Sequence, residues 1–479
     1  MKAKYKSGDK CRIICGADMV QLGNKYGTPL YILFEEVLSE NFSRFREALE
    51  QSYKNHLICY AVKANNALAV VKLFADLGAG ADVASEFEMQ LALEAGIPAE
   101  KIRANGNCKS RYYLDECIRR GIVINVDPED ELETIDEISG RIGERAKVNF
   151  RLAGFPLKKV TSPAITTSSE WSKFGISIRK AGEVFSKALA MENLAPHGLM
   201  VHIGSQITAA GDYYMVLDEL IRLSCQARDI GFNVNEIDLG GGYGISYLER
   251  DDWESAKRRI AARENGFTWA NDAIGYNSNM EWSSVELSCP FSPDLFIHDL
   301  LRERYSGDQT FAERLKDIGS PRLVIEPGRS LVGEGGVTLV RVCRTSKTPS
   351  GQDLVHVNAG VNHHSMSLII PEQMHEMEMA NRIASLGEYE AFVAGNLCFT
   401  GDLFGRVKTR LNSKPTRGDF LILYDTGAYS DFFISNTNSF PRPAKVLVGA
   451  GGKERLLVKR EEPVEMFQRD LDWRKNPGQ

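Results

Sequence analysis

The feature that most limits what this chain can fold into is a series of eight short β-rich runs separated by amphipathic, helix-like segments. The runs are LICYAV (57–62), GADVAS (80–85), KIRANG (101–106), IVINV (122–126), VNFRLA (148–153), GLMVHIG (198–204), EIDLGG (236–241) and RLVIEPG (322–328). Helix-like stretches lie between them, among them 66–77, 86–95, 110–120, 130–142, 178–191 and 211–230. Strands that alternate with helices build parallel sheets, because parallel strands need crossover connections. Eight such units in series predict a closed (β/α)8 barrel. An open doubly wound sheet competes with it, but no GxGxxG follows the first strand.

The texture changes after about residue 330. GGVTLVRVCRTS, DLVHVNAG, YEAFVAG, DFLILYDTG and AKVLVGAGG read as strands punctuated by Gly, Asn and Asp. They predict an antiparallel β-rich C-terminal domain. The first 30 or so residues also look β-like and are assigned to it. The expected division is therefore a barrel over 32–330, with 1–31 and 331–479 forming the β-rich domain. Residues 248–300 fit neither pattern: they carry Trp253, Trp269, Trp282 and Cys289 without clear periodicity. They read as an insertion after the seventh strand, on the side where barrel loops build active sites.

Charge narrows the partners. The 58 basic and 64 acidic residues leave a net charge of −6, spread without blocks, which favours neither nucleic acid nor an anionic membrane. The nine cysteines stand singly with no CxxC pair, a pattern that fits a reducing compartment better than a disulfide framework. Asp9, Lys10 and Arg12 interrupt any apolar leader segment, and no run approaches the roughly 20 apolar residues of a membrane helix. A soluble cytoplasmic protein is the expectation.

Four groups at strand ends carry chemistry. Lys63 leaves the first strand in YAVKAN and enters the barrel mouth, where its amine can act covalently. Gly240, Gly241, Gly242 and Gly244 follow the seventh strand, and successive glycines let backbone N–H groups approach a phosphate. Glu326, in Glu326-Pro327-Gly328-Arg329, ends the eighth strand, where a carboxylate can keep a pyridinium nitrogen protonated. His202, in HIGSQ, ends the sixth and can lie flat against a cofactor ring.

Each alone has a bland reading: a solvated end-group, a flexible turn, a surface ion pair, a structural histidine. Together they fall where barrel enzymes place their chemistry, and their types describe one cofactor, pyridoxal 5′-phosphate (PLP). His363, His364 and His375 lack the spaced acid or cysteine set of a zinc site, so no metal is expected. No GxSxG appears for a serine hydrolase.

The ordered set YAVKAN (60–65), ADVAS (81–85), GNCKS (106–110), SKFGI (172–176), HIGSQI (202–207), DLGGGYG (238–244), EPGRSLV (326–332), CFTGD (398–402) and GAYS (427–430) resembles the diaminopimelate decarboxylase family. These are PLP enzymes of fold type III, related to ornithine decarboxylases and alanine racemase. The similarity runs from KYGTPLYIL (25–33) to EEPVEMFQ (461–468). It implies an alanine-racemase-type barrel with a β-rich C-terminal domain, and a homodimer with shared active sites.

Carried over residue by residue, Lys63 is the covalent attachment point and His202 stacks on the ring. Asp82, Ser205, Gly241, Gly242, Gly328, Arg329 and Tyr429 complete the cofactor site, with Glu326 at the pyridinium nitrogen. Arg329 also faces the substrate, with Phe399 and Asp402. Cys398 is the expected proton donor to Cα, reaching into the partner's site. The activity implied is PLP-dependent decarboxylation of an amino acid or of an intermediate containing one.

Two departures from the family pattern bear on substrate. The residue after the cysteine is usually glutamate in this family and here is Phe399. The family's Arg-Pro-x-x-Tyr element, which grips the distal carboxylate, is replaced within VNHHSMSLII (361–370), with Met366 and Ile370 where the Arg and Tyr would fall. These argue for an altered distal pocket. A true diaminopimelate decarboxylase, an amino-acid racemase and a non-catalytic relative are the alternatives. The racemases usually set a tyrosine at CFTGD, and a non-catalytic relative is expected to have lost Lys63, Glu326 or the glycine run.

Overall fold

The computed structural model describes residues 6–7, 13–158, 165–261, 285–369, 373–382, 389–405 and 407–470. The chain divides into two compact units, one of residues 39–245 and 289–331, the other of 1–38, 246–288 and 332–479.

The first unit is the barrel. Its strands are β1 (His56–Ala61), β2 (Gly80–Val83), β3 (Ile102–Ala104), β4 (Val123–Val126), β5 (Ala146–Ala153), β6 (Leu194–Met200), β7 (Glu236–Asp238) and β8 (Arg322–Ile325). Each pairs in parallel with the next, and β8 returns to β1 through Leu323–His56, Val324–Leu57 and Ile325–Ile58. All eight runs read from the sequence are therefore strands, and the closed barrel is the fold. Helices such as Leu68–Asp76, Arg111–Arg120 and Gly211–Asp229 alternate with them. Helix Arg111–Arg120 shows why one forms there. Ser110 accepts from the Tyr113 N–H at its start, Gly121 ends it in the left-handed region, and Tyr113, Leu114, Cys117 and Ile118 make its buried stripe.

The second unit is a nine-stranded, largely antiparallel sheet. Its centre is the strand Leu30–Phe34, buried at all five residues. That strand pairs antiparallel with Gly336–Lys347 and parallel with Ala444–Val448. Leu30, Ile32, Phe34, Leu339, Ile422 and Val446 are its core, each at most 2% exposed. The N-terminal segment is not wholly β-like: Met19–Tyr26 is a helix, because Asp18 accepts from the Val20 and Gln21 N–H groups and caps it. Residues 246–288 belong to this unit rather than to the barrel. Arg250–Ala261 is a helix there, tied down by Trp253 Nε1 to Glu286 at 2.7 Å and Arg259 to Glu390 at 3.1 Å. A second helix, Pro293–Arg302, follows in the barrel unit, so the described parts of 248–300 include regular helix. Trp269 and Trp282 lie outside the described residues. No helix among the described residues is long and apolar enough to cross a membrane.

Candidate active site

Eight strand ends converge at the C-terminal mouth of the barrel, and the polar side chains there form one connected group. Lys63 follows β1 on a single helical turn, Val62–Ala64, and its side chain stays 31% exposed. Its Nζ forms an ion pair with Asp82 Oδ2 at the end of β2, a carboxylate 1% exposed. Asn105, just past β3, spends both amide hydrogens on carboxylates: Nδ2 donates to Asp82 Oδ1 at 2.7 Å and to Glu326 Oε1 at 2.9 Å. Glu326 follows β8 and is 3% exposed. Burial, then the charges of Asp238 and Asp82, push its carboxyl well above the usual range.

The glycine run is shaped by close approach rather than by flexibility. A Cβ on Gly241 would sit 2.2 Å from the Glu326 carbonyl oxygen, and one on Gly242 would sit 2.4 Å from that of Gly204. Gly240 and Gly242 also hold φ of +63° and +102°, which favour glycine. The Gly241 N–H donates to His202 Nδ1 at 3.1 Å, which makes that nitrogen an acceptor and the imidazole neutral. Burial, then the nearby cations Lys63 and Arg151, hold His202 well below its ordinary range. Arg329 donates from Nη2 to Ser205 Oγ at 3.0 Å, joining the turns after β8 and β6. Gly328 accepts from the Leu331 N–H and starts the same turn. Lys63, Asp82, His202, Ser205, Gly241, Gly242, Glu326, Gly328 and Arg329 thus all belong to the barrel unit, on the turns at this end.

The other predicted residues belong to the β unit. Cys398 is exposed, and its backbone N–H donates to Asn438 Oδ1 at 2.9 Å. Phe399 is 55% exposed, its ring packed over Gly401. Asp402 is buried and joins two loops: Oδ1 accepts from the Val361 N–H at 2.7 Å and Oδ2 from the Leu397 N–H at 2.6 Å. Burial outweighs those two bonds and raises its carboxyl to about 6. Tyr429 sits at a left-handed φ of 58°. Met366 opens the short helix Met366–Ile369 and is 3% exposed, whereas Ile370 lies outside the described residues. No group of three or more His, Cys, Asp or Glu among the described residues is arranged to hold a metal ion.

A family model for the pyridoxal-dependent decarboxylase, pyridoxal binding domain, matches residues 36–272. The diaminopimelate decarboxylase of Aquifex aeolicus is 30% identical over 477 residues, covering 98% of this chain and 97% of that protein. That of Methanocaldococcus jannaschii is 30% identical over 484 residues, covering 98% and 99%. The chain belongs to the diaminopimelate decarboxylase family. A crystal structure of the M. jannaschii enzyme in complex with L-lysine superposes with a TM-score of 0.79, covering 97% of this chain and 96% of that one. Like its family, this is a PLP-dependent carboxy-lyase acting in amino-acid metabolism.

The residues present fit that cofactor. An amine stands at the barrel mouth, the glycine turn leaves no room for a Cβ, and just after β8 a buried carboxyl is held well above its usual range.

Sequence reasoning passed over a set of polar residues inside the barrel. Asn125 Nδ2 donates to Asn105 Oδ1 at 3.0 Å, and Asn149 Nδ2 donates to Asn125 Oδ1 at 3.0 Å and to Glu236 Oε1 at 2.9 Å. Arg103 grips Glu236 with Nε at 2.7 Å and with Nη2. Asp238, fully buried, accepts from the Gly240 N–H at 2.8 Å. The available signal was spacing. Arg103 and Asn105, and likewise Glu236 and Asp238, stand two residues apart, so each pair shares one face of its strand.

Proposed function

We propose that this enzyme removes the α-carboxylate of an amino acid, free or built into a larger intermediate, whose far end is not gripped as diaminopimelate's distal carboxylate is gripped in the family. Met366 carries the proposal. Where the family places an arginine, this chain has a buried thioether, 3% exposed. A bidentate Arg–carboxylate contact is worth roughly 1.5–3 kcal/mol, and a thioether offers no charge in its place. Phe399, standing where the family has glutamate, points the same way. The segment 248–300 rebuilds the pocket in this reading.

Lys63 holds the cofactor covalently, with Asp82, His202, Ser205, Gly241, Gly242, Gly328, Arg329 and Tyr429 around it. Bound there, PLP supplies the electron sink for the pair left on Cα when CO2 departs. Glu326 keeps the proton on the pyridine nitrogen. Arg329, Phe399 and Asp402 meet the substrate, Asp402 by fixing the loop that carries Cys398. Cys398 returns a proton to Cα.

The active sites are shared across a homodimer. In support, Cys398 and Phe399 are exposed, and Asn438 ties their loop to a segment bearing Phe432 and Phe433, 45% and 52% exposed. The eight described cysteines are all free, which suits the cytoplasm.

The test is CO2 release by the PLP-loaded protein from meso-diaminopimelate, L- and D-lysine, L- and D-ornithine, arginine and glutamate. We expect little from diaminopimelate. Release from diaminopimelate alone would show that the pocket has found another grip. Silence across the panel, with the cofactor's visible chromophore present, would point to a larger conjugated substrate.

A further inference from the structure

The barrel interior holds more carboxylate than a single contact to the cofactor ring requires. Asp82 is matched by Lys63, and Glu236 is matched by Arg103. Among the described residues no cation pairs with Asp238 or Glu326, although Asp238 is 0% and Glu326 3% exposed. One oxygen of each is occupied by an N–H donor, Gly240 on Asp238 Oδ1 and Asn105 on Glu326 Oε1. Asp238 Oδ2 receives no N–H or hydroxyl. Asp238 is in register with Val324 across β7 and β8, and the Glu326 N–H donates to the Gly240 carbonyl at 2.8 Å, so the two carboxyls stand at adjacent strand ends. Two carboxylates are both acceptors, so they can bond to each other only when one of them carries a proton. Two like charges in contact in a dry site do not both ionise.

The surroundings hold that proton in place. Asn105 turns its amide hydrogens to the carboxylates Asp82 and Glu326 and its Oδ1 to Asn125, so it meets Glu326 as a donor. The titratable groups facing the pair are Lys63, Asp82, Glu236, Arg103, Cys59 and Tyr243. The two cations among them are engaged by Asp82 and Glu236. Burial and the mutual charge raise both carboxyls.

We infer that Asp238 and Glu326 share one proton across β7 and β8, and that Asp238 is a positioning residue whose partnership keeps on the chain the proton destined for the cofactor's pyridine nitrogen. The balance closes without water. Before loading, the pair carries one proton and one negative charge. Were that proton to pass to the ring nitrogen of bound PLP, the pyridinium would supply the positive charge that lets both carboxyls ionise, and the net charge would not change. The inference rests on Glu326 facing the ring nitrogen, and its test separates the two claims.

Asp238→Asn is the discriminating variant, because an asparagine still accepts the Gly240 N–H but cannot share a proton. The infrared spectrum of the cofactor-free protein is recorded in H2O and D2O at about pH 8, where exposed carboxyls and Asp402 are ionised. We expect a deuterium-sensitive protonated-carboxyl band in the wild type that is lost in both D238N and E326Q. No band in the wild type, or a band that survives D238N, would overturn the shared proton. In the loaded protein, the pH titration of the visible chromophore should shift in D238N, and D238N should add nothing on an E326Q background. An equal shift on that background would mean that Asp238 does not act through Glu326. Failure to take up PLP would sink the site assignment, while the spectrum of the cofactor-free protein still judges the pair.

Discussion

Gly241 sets the tolerance of the site. Its α-carbon faces the backbone carbonyl of Glu326, which cannot swing aside as a side-chain tip could. We expect Gly241→Ala to destabilise the protein by about 1–3 kcal/mol through overpacking and to weaken PLP uptake. A thermal melt and the chromophore absorbance check both effects; a variant with wild-type values in each would mean the turn has slack. At this scale, Lys63, His202, Gly241 and Glu326 were legible because each sits in a motif that closes a strand. Asp238 stood beside them in DLGGG and was read only as part of the seventh strand, EIDLGG (236–241). Asn105, Asn125, Asn149 and Glu236 gave less signal still. In strands of three to eight residues, one inward polar side chain looks like a strand end. Their hydrogen bonds join residues far apart in sequence, as Asn149 and Glu236 are.

Asp402 shows how an element is held by a single side chain. Its two oxygens fasten two backbone N–H groups from different loops, one of them immediately before Cys398. In Asp402→Asn one of those N–H groups would meet an amide N–H instead of an acceptor. The expected cost is about 1–3 kcal/mol, the desolvation penalty of a buried group left unpaired. Urea unfolding measures it, and an unchanged midpoint would mean that the loops close without this carboxylate. The barrel strands were readable because apolar runs alternating with amphipathic helices have one economical closure. Met19–Tyr26 was not, because its cap, Asp18, follows a short β-like stretch. Arg250–Ala261 was hidden for a different reason: its sequence RDDWESAKRRIA is mostly charged, and among its described side chains Trp253 and Ala256 are the buried ones.

Acid should act on the whole molecule through the β unit. His363 and His364 are each 1% exposed and held down to about 4, chiefly by burial. Both are neutral when folded and free to take a proton when unfolded. Stability is therefore lost as pH falls from the unfolded value near 6.5 towards about 4. Asp402 opposes them: its raised carboxyl contributes stability below its ordinary value near 3.8, and that contribution is lost as pH rises through about 6. Two histidines outweigh one aspartate. Removing one of them by His364→Gln should flatten the acid limb of the urea-midpoint profile by about 2 kcal/mol at about pH 5. Parallel profiles for variant and wild type would show that His364 gains its proton without cost.

The route of the chain has a consequence for its synthesis. Leu30–Phe34 is made before its partners, Gly336–Lys347 and Ala444–Val448, which follow some three hundred and four hundred residues later. For most of translation this wholly apolar segment has no sheet to enter, while the barrel beside it in sequence can already close. Such a strand is what holding chaperones bind. Slowed elongation after residue 331 should therefore leave a folded barrel carrying a sticky N-terminal arm, and a nascent chain is most exposed to aggregation in that interval.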